Sequence, residues 1–569
     1  MSKDKNWGPS LRISEEMHSM KYRSEGESFS EGCARFAHTL ADNQEHFRAI
    51  YNILLDMRFL GGGRTQAAVG SPRAVTAFNC FVSGEIEDSM DAIMDKAKEA
   101  AQTMRLGGGI GYDFSTLRPR GDNIVSLDSR SSGPVSFMAI YDAICHTISS
   151  AGHRRGAQMG VLRVDHPDIE EFVRAKQNET NLRAFNISVG VTDEFMEAVK
   201  KDEMFDLKFE GRVYKQVRAT ALWEEIMRST WDWAEPGVLF IDRINEMNNL
   251  YYCENISATN PCGEQPLPPY GACLLGSFNL TKYVDMHMDR GLFDYEQLKK
   301  DIPHVVRAMD NIHDNTTFPL EEQRIESQNK RRMGLGVTGV ANAGEMLGKP
   351  YASEDFNQWL NNVLEIIRDE VYNASIELAK EKGSFPLFDS DDYVKGKFIQ
   401  GLPQAIRRRI KKYGIRNSHL LSIAPTGTIS LAADNISSGI EPVFSLFSDR
   451  TIQTFDGPVV ERIEDYAYRV HGVKGKTSSE CTPQEHLEVL SIAQKYVDSA
   501  CSKTINLSGE ENWEDFKQIY IDAYDKGCKG CTTFNPKGKR FGILKEVKQE
   551  SESAKACYID PETGIKECS

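Results

Sequence analysis

Residues 260–280 read NPCGEQPLPPYGACLLGSFNL and bring an amide, two thiols and a carboxylate into one short stretch. Asn260, Cys262 and Glu264 alternate with a proline and a glycine, so we expect an irregular loop or a strand end. In an extended chain these three side chains point to one face. One small cavity could then hold a hydrogen-bonding amide, a reactive sulfur and a general base. A structural turn with a buried cysteine is the competing interpretation.

A further thiol lies in an apolar segment well upstream. Residues 78–82 read FNCFV, a short β-prone run with Cys80 at its centre. A core strand with a buried cysteine is the ordinary interpretation, because cysteine is among the most often buried residues. The chain has twelve cysteines in 569 residues. In a long intracellular chain this number argues against a structural disulfide framework.

The composition restricts the class of protein. With 569 residues, 40% hydrophobic and 27% charged, the chain suits one large enzyme core or several domains. Its net charge of -15 argues against a nucleic-acid-binding protein, which usually carries a basic stripe. No apolar run is long enough to span a bilayer, and the polar N-terminus lacks the apolar core of a secretory signal. We therefore expect a cytoplasmic protein that binds neither membrane nor nucleic acid.

The order of elements favours an α/β fold, because short β-rich runs alternate with helical patterns. We predict a helical N-terminal segment over residues 1–50 and one continuous α/β core over 51–540. Residues 541–569 form a charged tail that cannot bury a core, so we expect a flexible arm. Three of the β-rich runs are Ala184–Val191, Val238–Ile241 and Leu420–Ala424.

Two amphipathic helices stand out. One covers residues 88–106, where Glu87 and Asp88 suit a helix N-terminus. The other begins at Pro134 and ends near Gly152. Core packing explains both apolar stripes, and a dimer interface is a second interpretation that spacing leaves open. The predicted stripes are Met90, Ile93, Met94, Ala97, Ala101 and Met104 in the first helix, and Phe137, Ile140, Tyr141, Ile144 and Ile148 in the second.

Taken together, FNCFV (78–82), NPCGE (260–264) and ACLLGSFNL (272–280) resemble the catalytic subunit of ribonucleotide reductases. The resemblance runs from about residue 50 to the C-terminus, and its ordered matches are more specific than any one motif. It implies a ten-stranded α/β barrel with a central loop that carries Cys262. The other matches are LGGGIGYDFSTLRPRG (106–121), SSGPVSF (131–137), HRRGAQMGVLRVDHPDIEEF (153–172), RRMGLGVTG (331–339) and APTGTIS (424–430).

The resemblance also implies the chemistry, which is the reduction of ribonucleotides to deoxyribonucleotides. Cys262 matches the cysteine that forms a thiyl radical and removes the 3′-hydrogen of the ribose. Glu264 matches the base that accepts the 3′-hydroxyl proton, and Asn260 matches the amide that orients the substrate hydroxyls. Cys80 and Cys273 match the dithiol that reduces C2′ and ends as a disulfide. Replacing a hydroxyl by hydrogen takes two electrons and two protons, which a dithiol supplies.

A phosphate loop and an effector site follow from the same resemblance. Asp88 and the loop at 153–160 match the site of a deoxynucleotide or ATP effector at a dimer interface, where Arg154 or Arg155 would relay the signal. The glycines of GGGIG (107–111) lack the full dinucleotide fingerprint and predict close backbone packing. The substrate phosphates, of a diphosphate rather than a triphosphate, are expected at Pro425, Thr426, Gly427, Thr428, Ile429 and Ser430, whose hydroxyls and backbone amides suit an anion.

The radical source is also open to prediction. Relatives that receive their radical from a separate metalloprotein carry two adjacent tyrosines, where this chain has GCKGCTTF (527–534). The segment GKRFGILKEV (538–547) does not resemble a glycyl-radical motif. The resemblance therefore implies adenosylcobalamin as cofactor, although the Asp-x-His-x-x-Gly cobalamin motif is absent, and it implies no protein-ligated metal site. The alternatives are a large subunit that needs a radical-generating partner, and an inactive nucleotide-binding regulator.

The last two cysteines resemble a mobile redox pair. Cys557 and Cys568 would re-reduce the active-site disulfide and be reduced in turn by thioredoxin or glutaredoxin, with tail flexibility supplying the reach. A zinc site formed with Cys528 and Cys531 is the alternative, because CKGC has a ligand-like spacing. We expect a homodimer without ATP-dependent on/off control, because no N-terminal ATP-binding domain is recognisable.

Overall fold

A computed structural model describes residues 7–149, 156–177, 181–287, 290–454 and 457–539, with 557–559 and 566–568 in the tail. The helices are α1 (Arg12–Tyr22), α2 (Phe29–Leu40), α3 (Gln44–Leu55), α4 (Gly63–Ala68), α5 (Met90–Arg105), α6 (Pro134–Ser149), α7 (Ile169–Arg174), α8 (Asp193–Lys201), α9 (Ala219–Trp233), α10 (Ile241–Glu246), α11 (Tyr295–Ile312), α12 (Glu321–Lys330), α13 (Val340–Met346), α14 (Glu354–Lys382), α15 (Ser390–Tyr393), α16 (Lys397–Gln400), α17 (Gln404–Tyr413), α18 (Gly427–Ala432), α19 (Tyr466–His471), α20 (Pro483–Tyr496) and α21 (Trp513–Asp525). Short 3-10 turns cover Val125–Leu127, Leu280–Tyr283 and Ser478–Glu480.

The strands lie between these helices. They are β1 (Phe59–Gly61), β2 (Cys80–Val82), β3 (Gly109–Asp113), β4 (Asn123–Ile124), β5 (Ser129–Arg130), β6 (Gln158–Arg163), β7 (Phe185–Val191), β8 (Met204–Phe209), β9 (Arg212–Arg218), β10 (Gly237–Phe240), β11 (Ala258–Thr259), β12 (Pro266–Leu267), β13 (Ala272–Cys273), β14 (Leu275–Asn279), β15 (Val284–His287), β16 (Arg290–Phe293), β17 (Gly334–Thr338), β18 (Phe447–Thr454), β19 (Gly457–Glu464), β20 (Ile505–Asn506), β21 (Gly530–Cys531), β22 (Thr533–Phe534), β23 (Cys557–Ile559) and β24 (Lys566–Cys568).

The main sheet of the described residues has seven strands in the order β13-β2-β3-β6-β7-β10-β21. The five central strands are parallel, and β13 and β21 run antiparallel at the two edges. Central parallel strands are covered on both faces and therefore often read as nearly continuous apolar runs, as β10 (GVLF) does. The predicted α/β class and the predicted strands near 184–191 and 238–241 are confirmed.

A second sheet of the described residues has three strands in the order β1-β14-β17. β1 is antiparallel and β17 parallel to β14. The predicted strand at 420–424 forms only isolated parallel bridges, from Leu421 to Leu335 and from Ile423 to Cys501. The seven-stranded and three-stranded sheets are separate, the other described strands form two-stranded pairs, and this hydrogen bonding does not show the ten-stranded closed barrel expected from the sequence.

Helices α5 and α6 begin close to the predicted positions. The Ser89 hydroxyl caps α5 by accepting a hydrogen bond from Ala92 N at 3.2 Å, and Pro134 is the first residue of α6. Core packing is wrong for two residues of the predicted α5 stripe, because Met90 and Met94 are 60% and 45% exposed. The apolar surface of α5 is wider than the face that the chain's own core covers. Gly152, the predicted end of α6, lies outside the described residues.

The inward face of α6 also differs from the predicted stripe. Met138, Tyr141 and Cys145 are buried. Only Tyr141 belongs to the predicted set, whose other members, Phe137, Ile140, Ile144 and Ile148, are half-buried. The apolar residues of α6 cover more of the helix surface than a single stripe. The sequence alone therefore does not show which of them face the core.

The N-terminal helices pack on the rest of the chain. Ser14 Oγ in α1 donates to Leu431 O in α18 at 2.6 Å. Buried residues of α2 and α3, among them Phe36 and Ile53, belong to the main hydrophobic core, and α3 continues through residue 50. No helix in the described part of the chain has the length and apolar character needed to cross a membrane.

Candidate active site

Two thiols meet at the edge of the main sheet. Cys80 begins β2 and Cys273 ends β13, and they are register partners in this antiparallel pair. Directly opposed residues in such a pair bring their side chains onto the same face. Both residues are buried, and there is no disulfide between them. Burial, together with the nearby Cys80 and Glu264, raises the pKa of Cys273 well above its ordinary value, so this thiol stays protonated at neutral pH.

The amide predicted from the sequence lies beside these thiols. Asn260 Nδ2 donates to Cys80 Sγ at 3.2 Å. The side chain is held in this orientation because its Oδ1 accepts from Gln265 N at 3.0 Å. Gly263 N donates back to Asn260 O at 3.1 Å and closes a tight turn, with Gly263 at a φ of 80°. Cys262 lies at the tip of this turn and is exposed, not enclosed among the other thiols.

Glu264 is the buried carboxyl of the site, with a relative exposure of 1%. Burial raises the pKa of this carboxyl to about 7, and the hydrogen bond from Asn260 lowers it only in part. Glu264 Oε2 has no hydrogen-bond partner among the described residues. The backbone carbonyl of Glu264 is fixed from behind by Ser422 Oγ at 2.9 Å and Ala500 N at 3.0 Å. A carboxyl in these surroundings can exchange a proton near neutral pH.

The loop that carries Cys262 packs directly on strand β3. A side-chain carbon at Gly111 would overlap the backbone carbonyl of Thr259 in β11. One at Gly109 would lie 3.0 Å from the ring of Pro261. Asn186 Nδ2 in β7 donates to Pro261 O at 2.8 Å. The close backbone packing predicted for the GGGIG segment is therefore confirmed, and it positions the loop over the main sheet.

The predicted phosphate loop is divided between exposed and buried residues. Gly427 and Thr428 are exposed, whereas Ile429 packs in a hydrophobic cluster with Ala432 and Ala433. Thr426 has a left-handed backbone, with a φ of 55°. Its Oγ1 accepts from Gly439 N at 2.7 Å, which ties the loop to the 437–439 segment.

Thr338 is a buried residue of this region that the sequence did not single out. It ends β17, and its Oγ1 lies 2.9 Å from Thr426 Oγ1 and 2.8 Å from Ser430 Oγ. Ser430 Oγ in turn lies 2.9 Å from Thr426 Oγ1. The three hydroxyls therefore form one hydrogen-bonded group beneath the loop. A single threonine at a strand end is common and does not indicate a site by itself. The only sequence signal for Thr338 was its place in the segment 331–339, which resembles the family.

The predicted effector residues are described only in part. Asp88 is half-buried just before α5, and its Oδ2 accepts from Arg118 Nε at 2.5 Å. Arg154 and Arg155 lie outside the described residues. Asp88 directly precedes Ser89, the residue that caps the N-terminus of α5.

The remaining cysteines occupy two places. Cys528 and Cys531 are buried beside and within β21. Cys557 and Cys568 are backbone register partners in the hairpin of β23 and β24. Among the residues that the structure describes, no group of three or more His, Cys, Asp or Glu side chains could hold a metal ion.

Two glycines mark open positions, one next to Cys262 and one at the start of α18. A side-chain carbon at Gly263 or Gly427 would meet no other atom within 4 Å. Space is therefore free beside the Cys262 turn and at the start of the predicted phosphate loop. In the position of the tyrosine pair, Thr532 is exposed, and Thr533 Oγ1 lies 3.0 Å from the hydroxyl of buried Tyr520. Threonine side chains cannot serve as radical stepping stones in this position.

Comparison with known proteins agrees with the resemblance found in the sequence over most of the chain. Residues 78–534 match the family model described as "Ribonucleotide reductase, barrel domain". A protein of Thermoplasma acidophilum, named vitamin B12-dependent ribonucleoside-diphosphate reductase, is 36% identical over 82% of this chain and 62% of its own length. The protein of that name from Mycobacterium tuberculosis CDC 1551 is 35% identical over 86% of this chain and 72% of its own. A vitamin B12-dependent ribonucleotide reductase of Streptomyces coelicolor is 28% identical, with shares of 82% and 57%.

Proposed function

This chain belongs to the ribonucleotide reductase family, and from that premise we propose that it reduces ribonucleoside diphosphates to 2′-deoxyribonucleotides. The chain spans 62% of the Thermoplasma relative and 72% of the Mycobacterium one. The observation that carries the proposal is one buried cluster. It combines two thiols in register, an amide bonded to one of them, and a carboxyl whose pKa lies near neutrality.

Each residue has a defined task in the reaction. Cys262, as a thiyl radical, removes the 3′-hydrogen of the ribose, and Glu264 accepts the 3′-hydroxyl proton. Cys80 and Cys273 then supply two electrons and two protons at C2′. One C–O bond breaks, one C–H bond forms, the hydroxyl leaves as water, and a disulfide forms between the two sulfurs. Cys262 then returns the hydrogen to C3′ and becomes a thiyl radical again, and Glu264 returns the proton to the 3′-oxygen. Asn260 keeps Cys80 oriented and offers its amide to the substrate hydroxyls.

We further propose adenosylcobalamin as the cofactor, with its site on the open outer side of the Cys262 turn. When bound there, it supplies the unpaired electron that Cys262 needs. The names of the vitamin B12-dependent relatives support this choice. So do Thr532 and Thr533, which cannot form the relay that a separate radical subunit would need. The buried cluster beneath the turn excludes water, which protects radical intermediates from side reactions.

The proposed function is tested by assaying the purified chain with CDP or CTP, adenosylcobalamin and a dithiol, without any other protein. We expect dCDP to form, and CTP to be the poorer substrate. A requirement for a second, metal-containing protein would replace the proposal with a two-subunit enzyme. Nucleotide binding without any reduction, with or without such a protein, would indicate a regulator.

The pKa of Glu264 predicts a specific pH dependence. Only the deprotonated carboxylate accepts the 3′-hydroxyl proton, so the rate should rise with pH and reach half its maximum near pH 7. The measurement is a single turnover of pre-reduced protein between pH 5.5 and 8.5, because an external dithiol would add its own titration. Cys273 contributes no step in this range, because its pKa lies well above the ordinary value. A midpoint near that of an exposed glutamate would contradict the assignment.

We propose that the two sheets belong to a ten-stranded barrel and that the chain acts as a homodimer. The family model that matches residues 78–534 supports the barrel. The exposed apolar side chains of α5, Met90 and Met94, support a second copy as partner. An effector nucleotide would bind near Asp88, at the N-terminal end of α5.

For the tail we propose the redox pair. The backbone register of Cys557 with Cys568 in the hairpin of β23 and β24 supports it. Thioredoxin or glutaredoxin would be the reductant. The division into a helical segment (1–50), a catalytic core (51–540) and this tail (541–569) is retained as part of the proposal. A cytoplasmic location stays a prediction of the sequence.

A further inference from the structure

Lys529 is a buried ammonium inside the CKGC motif, for which neither the sequence nor the proposed reaction supplies a role. Its relative exposure is 3%. Its backbone is fixed next to strand β21, where Phe240 N donates to Lys529 O at 3.0 Å. Its Nζ donates to two consecutive backbone carbonyls, Asp498 O and Ser499 O, each at 2.6 Å. One side chain therefore joins the edge of the main sheet to the 498–501 segment.

The 498–501 segment bears directly on the general base. Ala500, the residue after the two bound carbonyls, donates its N–H to Glu264 O at 3.0 Å. Ser422 Oγ lies within hydrogen-bonding distance of both residues of this contact. It is 2.9 Å from Glu264 O and 3.3 Å from Ala500 O. The backbone of Glu264 is thus held by a segment that Lys529 holds in turn.

The same segment also supports the chain that enters the phosphate loop. Ser499 N donates to Leu421 O at 3.1 Å, and Ile423 N donates to Ala500 O at 3.1 Å. Residues 421–423 lead directly into Pro425, the start of the loop. The Asp498 carboxylate accepts from the backbone N–H groups of Leu420 and Leu421 at 2.8 and 2.9 Å. The 498–501 segment therefore bonds both the backbone of Glu264 and the residues that lead into the phosphate loop.

The charges around Lys529 explain why an ammonium persists there. Burial lowers the pKa of Lys529 to about 8, and the Asp498 carboxylate opposes this decrease. The ammonium therefore persists at neutral pH, and its loss should lower the rate at the alkaline end of the range from pH 5.5 to 8.5. Neighbouring His419 carries no charge at neutral pH, because burial and nearby cations lower its pKa well below the ordinary value. Burying an ion costs free energy that an apolar side chain of similar size would not. The free-energy cost of burying Lys529 is therefore better explained if the side chain positions other residues than if it stabilises the fold.

We propose that Lys529 is a positioning residue, whose ammonium fixes the 498–501 segment and through it both Glu264 and the entry to the phosphate loop. This inference rests on the proposed function for Glu264, but it concerns contacts that exist without substrate. The matched control is Lys176, a half-buried lysine whose Nζ pairs with Glu235 Oε2 at 2.6 Å. Lys176 Nζ also donates to Phe185 O in β7, so both of these contacts join elements other than the 498–501 segment.

The first test is kinetic and uses Lys529→Met, Lys529→Arg and Lys176→Met in the full chain. We expect single-turnover reduction by Lys529→Met to fall about 10²-fold, as a displacement of about 1 Å of a catalytic group can cause. Its half-maximal pH should move below that of the unaltered protein, because a loosened base becomes hydrated. Lys529→Arg, which keeps charge and donors, should recover much of the rate. Lys176→Met should lose thermal stability without moving the half-maximal pH.

The second test needs no turnover, so it separates this inference from the proposed function. The Glu264 carboxyl band is titrated by infrared difference spectroscopy, with Glu264→Gln subtracted to identify it. We expect Lys529→Met to lower the midpoint by about one pH unit, a part of the several units that burial can supply. If Lys529→Met does not fold, Ser422→Ala should give a smaller shift of the same sign. An unmoved midpoint in the variant that folds would overturn the proposal.

Discussion

Cys262→Ser should reduce deoxynucleotide formation to the level seen without protein. Serine keeps the size and the polar tip of the side chain, but an O–H bond is stronger than an S–H bond. The radical that removes the 3′-hydrogen therefore cannot be formed on it. Because Cys262 is exposed at the tip of its turn, the substitution leaves the buried cluster of Cys80, Cys273 and Glu264 unchanged. Substrate binding should be retained, so the loss should appear in kcat alone.

The measurement is dCDP formation with adenosylcobalamin and a dithiol, together with CDP affinity by calorimetry. Cys253→Ser is the matched control, because Cys253 is also an exposed cysteine and has no role in the proposed reaction. It should retain full activity. Substantial reduction by Cys262→Ser would show that the radical is carried by another atom, and the proposed mechanism would then be wrong.

Gly111→Ala should abolish activity by displacing the loop that carries Cys262. A methyl group at this position would overlap the carbonyl oxygen of Thr259, a backbone atom that cannot rotate away. Overpacking of this kind typically costs about 1–3 kcal/mol of unfolding free energy, and more where backbone must move. Because Thr259 directly precedes Asn260, the displacement reaches the amide that orients Cys80. We expect at least about a 10²-fold loss of kcat.

Thermal unfolding and single-turnover rates measure both effects. Gly190→Ala is the control, since Gly190 lies in β7 of the same sheet and an added methyl would meet its nearest atom at 3.5 Å. That variant should remain stable and active. Normal activity in Gly111→Ala would mean that the loop can shift away from β3 without losing its function.

Several features of this protein could be predicted because they depend on neighbours in the sequence. The start of α6 at Pro134 and the β-rich run at 185–191 follow from local conformational preference. The stripes of α5 and α6 were predicted less well, since the edge of an apolar face that meets the core depends on the rest of the fold. The strand expected at 420–424 became two isolated bridges, because its partners at Leu335 and Cys501 lie far away in the chain.

The residue types of the site were determined by the sequence alone: an amide, a thiol and a carboxyl alternate at 260–264, with further thiols at 80 and 273. Only the tertiary structure decided that Cys80 and Cys273 are register partners. It also decided that Glu264 is buried deeply enough to titrate near pH 7, and that Lys529 bonds the segment whose Ala500 N–H donates to Glu264 O. Strand register and desolvation depend on which distant segments pack together, and such contacts are a property of the folded chain.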